Sequence, residues 1–190
     1  MSERWVWRLH KRPEGMDFEP AFEFNSEPIP ELAPGELLIK NIYIGMDAGT
    51  RNWLHPREDG FDVPLPLGST MIGILVGTIE ESKHPAYTKG SLVRAYGQWA
   101  DYSIINPAES RVFVVDPDIE DIRQYIGLIG PSGWTSYFGV LDVGKPKPGE
   151  TFLVSAAAGS TGSIAGQVAR IAGCRTIGIA GSDEKIDWIK

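Results

Sequence analysis

The chain has 190 residues, enough to bury a sizeable core as one large domain or as two parts. Its net charge of −7, with no basic stripe or Lys/Arg cluster, argues against a nucleic-acid partner, and the single cysteine, Cys174, excludes an intrachain disulfide framework and a Cys-based structural zinc site. The longest apolar runs are far too short to span a bilayer, and Met1-Ser2-Glu3-Arg4-Trp5 carries no secretory pattern, so the expectation is a soluble cytoplasmic protein with no membrane partner.

Most of the glycines and prolines fall before residue 150, which points to a loop-rich β region followed by something more regular. Arg4–Leu9 alternates weakly. Glu36–Ile44 is a strong strand entered through the Pro34-Gly35 turn. Met71–Glu80 is a β-branched run cut by Gly73 and Gly77, a pattern that suits a bulged or closely packed barrel strand. Ser91–Tyr96, Trp99–Ile105 and Arg111–Val115 follow. Short strands at this spacing, joined by Gly/Pro turns, predict a compact β-barrel.

Beyond residue 120 the texture changes. Asp121–Ile129 and Gly133–Val143 place apolar residues at helical spacing, with Pro131 as a break between them. After the turn at 145–150 come an apolar strand, Thr151–Ser155, a helix, Ser160–Ile171, and a second strand, Arg175–Ala180. Ser182 or Asp183 is a plausible N-cap for a last helix. The expected domains are thus a β-barrel over 1–120 and the start of an α/β domain over 121–190.

The motif with chemical content joins the first of these strands to its helix. Ala157, Gly159 and Gly162 form a variant of the G-x-G-x-x-G turn, with alanine in the place of the first glycine. Gly159 allows backbone amides to approach a pyrophosphate, and Gly162 allows the helix to lie close on the strand. The free N–H groups and positive end of that helix then face the phosphates. The turn follows a strand, opens a helix and leads to a second strand within about 30 residues, the context such a motif requires.

The end of the second strand bears on which nucleotide is held. NAD sites place an acid there for the ribose hydroxyls. Here Gly181 and Ser182 occupy that position, and Lys185 follows one turn into the helix, which leaves room and charge for the 2′-phosphate of NADPH. Asp183, two residues on, is the competing ribose acid, and Lys185 can also be read as a solvated helix lysine.

The β-rich front, the stretch Gly133-Trp134-Thr135-Ser136-Tyr137-Phe138-Gly139, the Ala-Ala-Gly-x-x-Gly turn and Ala180-Gly181-Ser182-Asp183-Glu184-Lys185 together resemble the medium-chain dehydrogenase/reductase superfamily. Within it they are most similar to the zinc-independent alkenal double-bond reductases, the group that holds the prostaglandin and curcumin reductases. The resemblance implies an α/β protein, a GroES-like β-barrel followed by the first βαβ portion of a Rossmann domain, with NADP(H) as cofactor. It implies hydride delivery to the C=C bond of an α,β-unsaturated aldehyde or ketone. Quinone reduction is the alternative within the enzyme class, and a truncated, non-catalytic interaction module the alternative outside it.

Carried over by position, Gly159, Ser160, Thr161 and Gly162 would hold the pyrophosphate. Gly181, Ser182 and Lys185 would hold the 2′-phosphoribose, and Thr135 would lie near the nicotinamide. Asp47 and Arg51 resemble the ends of an Asp-Pro-Tyr-Met-Arg stretch beside the active cleft, with Ala48 and Gly49 in place of Pro and Tyr, so a pocket-lining aromatic is absent. They are either pocket residues or the turn that fixes the barrel wall. Zinc members of the superfamily carry a Gly-His-Glu element where this chain reads Gly68-Ser69-Thr70, so no metal is expected. Two strands are the beginning of a nucleotide fold that needs about six. The expectation is therefore a fragment of a longer chain, which at full length is a candidate homodimer.

Overall fold

The computed structural model describes residues 3–56 and 63–190. These fall into two compact units, Met1–Ile122 and Arg123–Lys190.

The first unit is antiparallel throughout. Strand β1 (Glu3–Leu9) pairs with β2 (Phe22–Pro28), and isolated bridges from Val6 to Ala100 and from Arg8 to Thr70 tie this hairpin to the rest. Strands β3 (Leu37–Ile44), β4 (Ile72–Ser82), β5 (Leu92–Gln98), β6 (Tyr102–Ile105) and β7 (Phe113–Val114) form a sheet in the order β6-β3-β4-β5-β7. One face buries Leu37, Ile39, Leu75, Ile79, Val93, Ala95 and Ile105. A second cluster of Leu9, Ala21, Leu54 and Met71 seals the end where the hairpin joins. This is the β-barrel expected from the strand spacing, open among the described residues at β6 and β7.

Gly77 accounts for the irregularity expected in β4. A Cβ there would run into the Lys40 carbonyl and lie 2.7 Å from the Ile39 side chain, so only glycine permits this approach of β3. The register shifts beside it: Asn41 faces Gly77 and Tyr43 faces Val76, which leaves Ile42 as the extra residue on β3.

The β1–β2 hairpin was only half visible in the sequence, because β2 was not expected as a strand. Its alternation is inverted. Arg4 and Val6 are buried toward the barrel, while Trp5, Trp7 and Phe24 face outward at 48%, 42% and 52% exposure. The inward charge is tolerated because Glu27 accepts from Arg4 at 2.7 and 3.0 Å and also from Arg8, and Arg4 donates further to the Gln98 side chain and the Tyr102 carbonyl. Buried charge is stable only when paired and hydrogen-bonded in this way.

The second unit begins with short helical turns. The helix expected over 121–129 is only a 3₁₀ turn, Ile122–Tyr125. Gly127 and Gly130 remove helix propensity beyond it. Gly130 is instead the extended N-cap of helix α1 (Pro131–Phe138), with Pro131 in its first turn. The proline starts this helix rather than merely separating two. After Phe138 the coil widens into a π-helical turn, Gly139–Gly144, ended by Lys145 in the left-handed conformation at φ 46°. Parallel strands β8 (Thr151–Val154) and β9 (Arg175–Gly178) flank helix α2 (Ser160–Ile171), and α3 (Asp183–Ile189) follows. Val140, Ala165, Ala169 and Cys174 form the core between α2 and the sheet. Among the described residues no helix is long and apolar enough to cross a membrane.

Candidate functional site

The parallel pairing of β8 and β9 determines what lies together. Val154 is the register partner of Gly178, so the loops leaving both strands emerge side by side at the same sheet edge. The Ala157 amide donates to the Ile179 carbonyl and the Ile179 amide to the Val154 carbonyl, both at 2.9 Å, which continues the pairing into the loops. One loop leads through Gly159 into Ser160, Thr161 and Gly162 at the start of α2; the other leads through Gly181 and Ser182 to Lys185 in the first turn of α3. Ligands of open α/β sheets bind outside such carboxyl ends.

Within the first loop the chain turns sharply. Ala156 is left-handed at φ 49°, an uncommon conformation for a residue with a Cβ, and its carbonyl accepts the Gly159 amide at 2.8 Å. The tightness of this turn explains Gly162. A Cβ at 162 would strike the Ala156 carbonyl oxygen and lie 2.9 Å from its carbon and 3.1 Å from the Ser155 oxygen, all backbone atoms that cannot move aside. Helix α2 therefore starts directly against the strand it follows. Its N-cap, Gly159, is extended and supplies no side-chain cap. The first amides of a helix have no intrahelical acceptor, and here they open beside exposed Gly159, Ser160 and Thr161.

In the second loop Ser182 is the N-cap of α3, its hydroxyl accepting the Lys185 amide at 3.4 Å. Gly181, Ser182, Asp183, Glu184 and Lys185 are all exposed. Both the cationic Lys185 and the acidic Asp183 thus belong to the first turn of this helix.

Thr135 lies on the exposed side of α1, while its neighbour Ser136 is buried. The Ser136 hydroxyl sits 2.7 Å from the Ser132 carbonyl and 2.8 Å from that of Thr161. The sequence reading assigned nothing to Ser136 or Ala156. Neither carries a residue-type signal, since serine and alanine occupy countless helix and loop positions.

In the first unit, Asp47 caps the 3₁₀ helix Ala48–Trp53 by accepting the Gly49 amide at 2.6 Å. Arg51 points elsewhere, donating to the Gly15 carbonyl at 2.7 Å and lying 5.3 Å from the centre of the Phe18 ring. The Asp47 side chain is thus engaged with its own turn, and that of Arg51 with the 15–18 loop. Among the described residues no His, Cys, Asp and Glu side chains gather in a group that could hold a metal ion.

A family profile described as the N-terminal domain of oxidoreductase matches residues 5–113. Prostaglandin reductase 1 of Oryctolagus cuniculus is 37% identical over 185 residues, which are 97% of this chain and 51% of that protein. The NADPH-dependent curcumin reductase of Escherichia coli K12 is 34% identical over 184 residues, 97% of this chain and 52% of its own. The crystal structure of CurA from Vibrio vulnificus in complex with NADPH superposes with a TM-score of 0.88 at 32% identity, covering 97% of this chain and 54% of that one. The chain spans about half the length of the curated relatives it matches. It belongs to the medium-chain dehydrogenase/reductase oxidoreductases, in the branch that holds the prostaglandin, curcumin and alkenal reductases.

Proposed function

We propose that this chain forms the barrel and the nucleotide-entry half of a cytosolic, zinc-independent reductase that uses NADPH on the C=C bond of α,β-unsaturated aldehydes or ketones. The observation that carries the reading is the pair of loops at the carboxyl ends of β8 and β9, one opening an uncapped helix and the other carrying Lys185.

The residues fit a pyrophosphate. A Cβ at 162 would fill the angle between strand and helix, and the α2 amides beside Ser160 and Thr161 are left without a side-chain acceptor. Backbone donors and the positive helix end favour a doubly anionic group there. Lys185 would pair with the 2′-phosphate as an exposed, mobile point charge. Thr135, on the helix bonded to the first turn of α2, would bound the nicotinamide end. When bound, NADPH supplies the hydride that reduces the β-carbon of the activated alkene. The protein's contribution is to orient the two reactants and stabilise the enolate oxygen. Asp47 and Arg51 would shape the substrate side through the turn they fix rather than by direct charge. The same reading makes a longer chain a candidate homodimer.

The test is nucleotide titration of the purified chain, followed by fluorescence. Saturable NADPH binding is expected, and Lys185→Ala should weaken it about tenfold or more, as expected for a hydrogen bond to a charged group, while NADH changes less than twofold. A chain that binds neither nucleotide sinks the proposal. Turnover on an enone exceeding that on a quinone would separate alkene reduction from quinone reduction.

A further inference from the structure

We propose that Ser136 is a positioning residue, a hydroxyl latch that sets the nicotinamide-side helix α1 against the pyrophosphate turn at the start of α2. The inference rests on the nucleotide reading given above and adds a residue to which that reading assigned no part.

Helix α1 meets α2 through small residues. Ser132, Gly133 and Ser136 are its buried positions; a Cβ at Gly133 would collide with the Leu128 carbonyl of the preceding turn, which leaves Ser136 as the position that reaches α2. Ser136 is 2% exposed. Its hydroxyl has one proton and lies within bonding distance of two carbonyls, Ser132 at 2.7 Å in its own helix and Thr161 at 2.8 Å in the other. The first contact is ordinary back-bonding within a helix. The second is different, because Thr161 lies in the first turn of α2, between Ser160 and Gly162. When the proton is given to Thr161, or shared with it, the hydroxyl ties the helix bearing Thr135 to a residue of the proposed phosphate cradle.

The geometry is that of a short lever. Thr135 is adjacent to Ser136 in sequence and exposed where Ser136 is buried. Any slip of α1 along α2 therefore carries Thr135 with it, while the loop after β9 and the first turn of α3, which holds Lys185, are untouched. Loss of the latch should impair recognition of the nicotinamide half of the cofactor and spare the adenosine half.

The experiment compares wild type, Ser136→Ala and Ser136→Cys in the full 190-residue chain. It measures the affinity of each for NADPH and for adenosine 2′,5′-bisphosphate, and amide hydrogen exchange without ligand. Ser136→Ala should weaken NADPH about five- to tenfold, the scale of one lost neutral hydrogen bond, and change adenosine 2′,5′-bisphosphate less than twofold. Ser136→Cys, a weak donor, should fall between. Exchange should quicken within residues 131–138 and 160–163 and stay unchanged in β8 and β9. Equal loss of both ligands would assign Ser136 a general structural role and overturn the latch, as would unchanged NADPH affinity. If wild type binds neither ligand, the nucleotide reading fails separately, and exchange decides the latch alone: unaltered rates in residues 131–138 overturn it, and a rise confined to the two segments upholds it.

Discussion

Removing the carboxylate of Glu27 tests whether the inward-facing charges of the β1–β2 hairpin are as tightly balanced as their geometry indicates. Glu27 accepts from Nε and Nη2 of Arg4 at 3.0 and 2.7 Å and from Arg8, and the Arg4 side chain is only 6% exposed. Without Glu27, Arg4 keeps the Gln98 side chain and the Tyr102 carbonyl but loses its counter-charge. Breaking a fully buried pair costs about 3–5 kcal/mol. Glu27 is itself 22% exposed and Arg4 retains two acceptors, so roughly half of that, about 2 kcal/mol, is expected for Glu27→Ala. Acid should act on the same group. Burial raises the Glu27 carboxyl, but hydrogen bonds from Arg8 and Arg4 and their charges outweigh it and hold the group below the ordinary value of 4.5. A carboxylate lowered in the folded state contributes stability that is fully present above its unfolded value and is lost as the pH falls through its folded value. Wild type should therefore lose stability below about pH 4.5, and Glu27→Gln should flatten that part of the profile. Urea titrations followed by circular dichroism at pH 7 and at pH 3.5 read both effects. A Glu27→Ala protein within about 0.5 kcal/mol of wild type at pH 7, the range of ordinary surface substitutions, would refute the argument.

Two glycines of the candidate nucleotide site should respond oppositely to the same change. Gly162→Ala forces a Cβ into the Ala156 carbonyl and should destabilise by about 1–3 kcal/mol, abolishing measurable NADPH binding. Gly181→Ala meets open space and should leave thermal stability unchanged or slightly raised. Lys145 ends the π-helical turn in the left-handed conformation, where a Cβ costs roughly 1–2 kcal/mol. Lys145→Gly should therefore raise the urea midpoint with no change in nucleotide affinity, and a lowered midpoint would mean that the lysine side chain contributes more than its strain.

The elements that the sequence declared best are those in which one pattern served one purpose. Ser160–Ile171 reads as a helix from its small and apolar spacing, and the structure ends it at the same residues. Glu36–Ile44 and Met71–Glu80 are buried strands with apolar content on the core face, and both appear within two residues of their expected ends. Strand β2 was missed for a physical reason. Phe22-Glu23-Phe24-Asn25-Ser26-Glu27 does alternate, but Phe24 is exposed, Glu23 is exposed beside His10, and the part-buried acid is Glu27, which receives Arg4 and Arg8. Alternation signals a strand only when the apolar set is assumed to be the buried one, and an ion cluster 23 residues apart in sequence leaves no local trace. The helix expected over 121–129 failed for the opposite reason: its periodicity was genuine, but Gly127 and Gly130 lowered its helix propensity and Gly130 became the cap of the next helix.

The candidate site was legible to the extent that its chemistry constrains residue type. A helix that starts directly against the strand it follows demands glycine where a Cβ would collide with the turn, and Gly162 is such a position in measurable terms. That is why the motif could be read without coordinates. The reading stops where the constraint falls on conformation rather than on composition. Ala156 must be left-handed for its carbonyl to accept the Gly159 amide and to lie against Gly162, yet glycine would adopt the same φ at less cost. The alanine is thus held in place by the surrounding turn. A non-glycine residue in this region persists only when its neighbours over-determine it. Here the neighbours are the Ile179–Ala157 and Val154–Ile179 bonds that continue the sheet into both loops. The strained residue and the side-by-side placement of the two loops therefore have one cause. The parallel pairing of β8 with β9 runs past the strand ends, and in doing so it brings the turn that opens α2 at Gly159–Gly162 beside the loop that leads to Lys185.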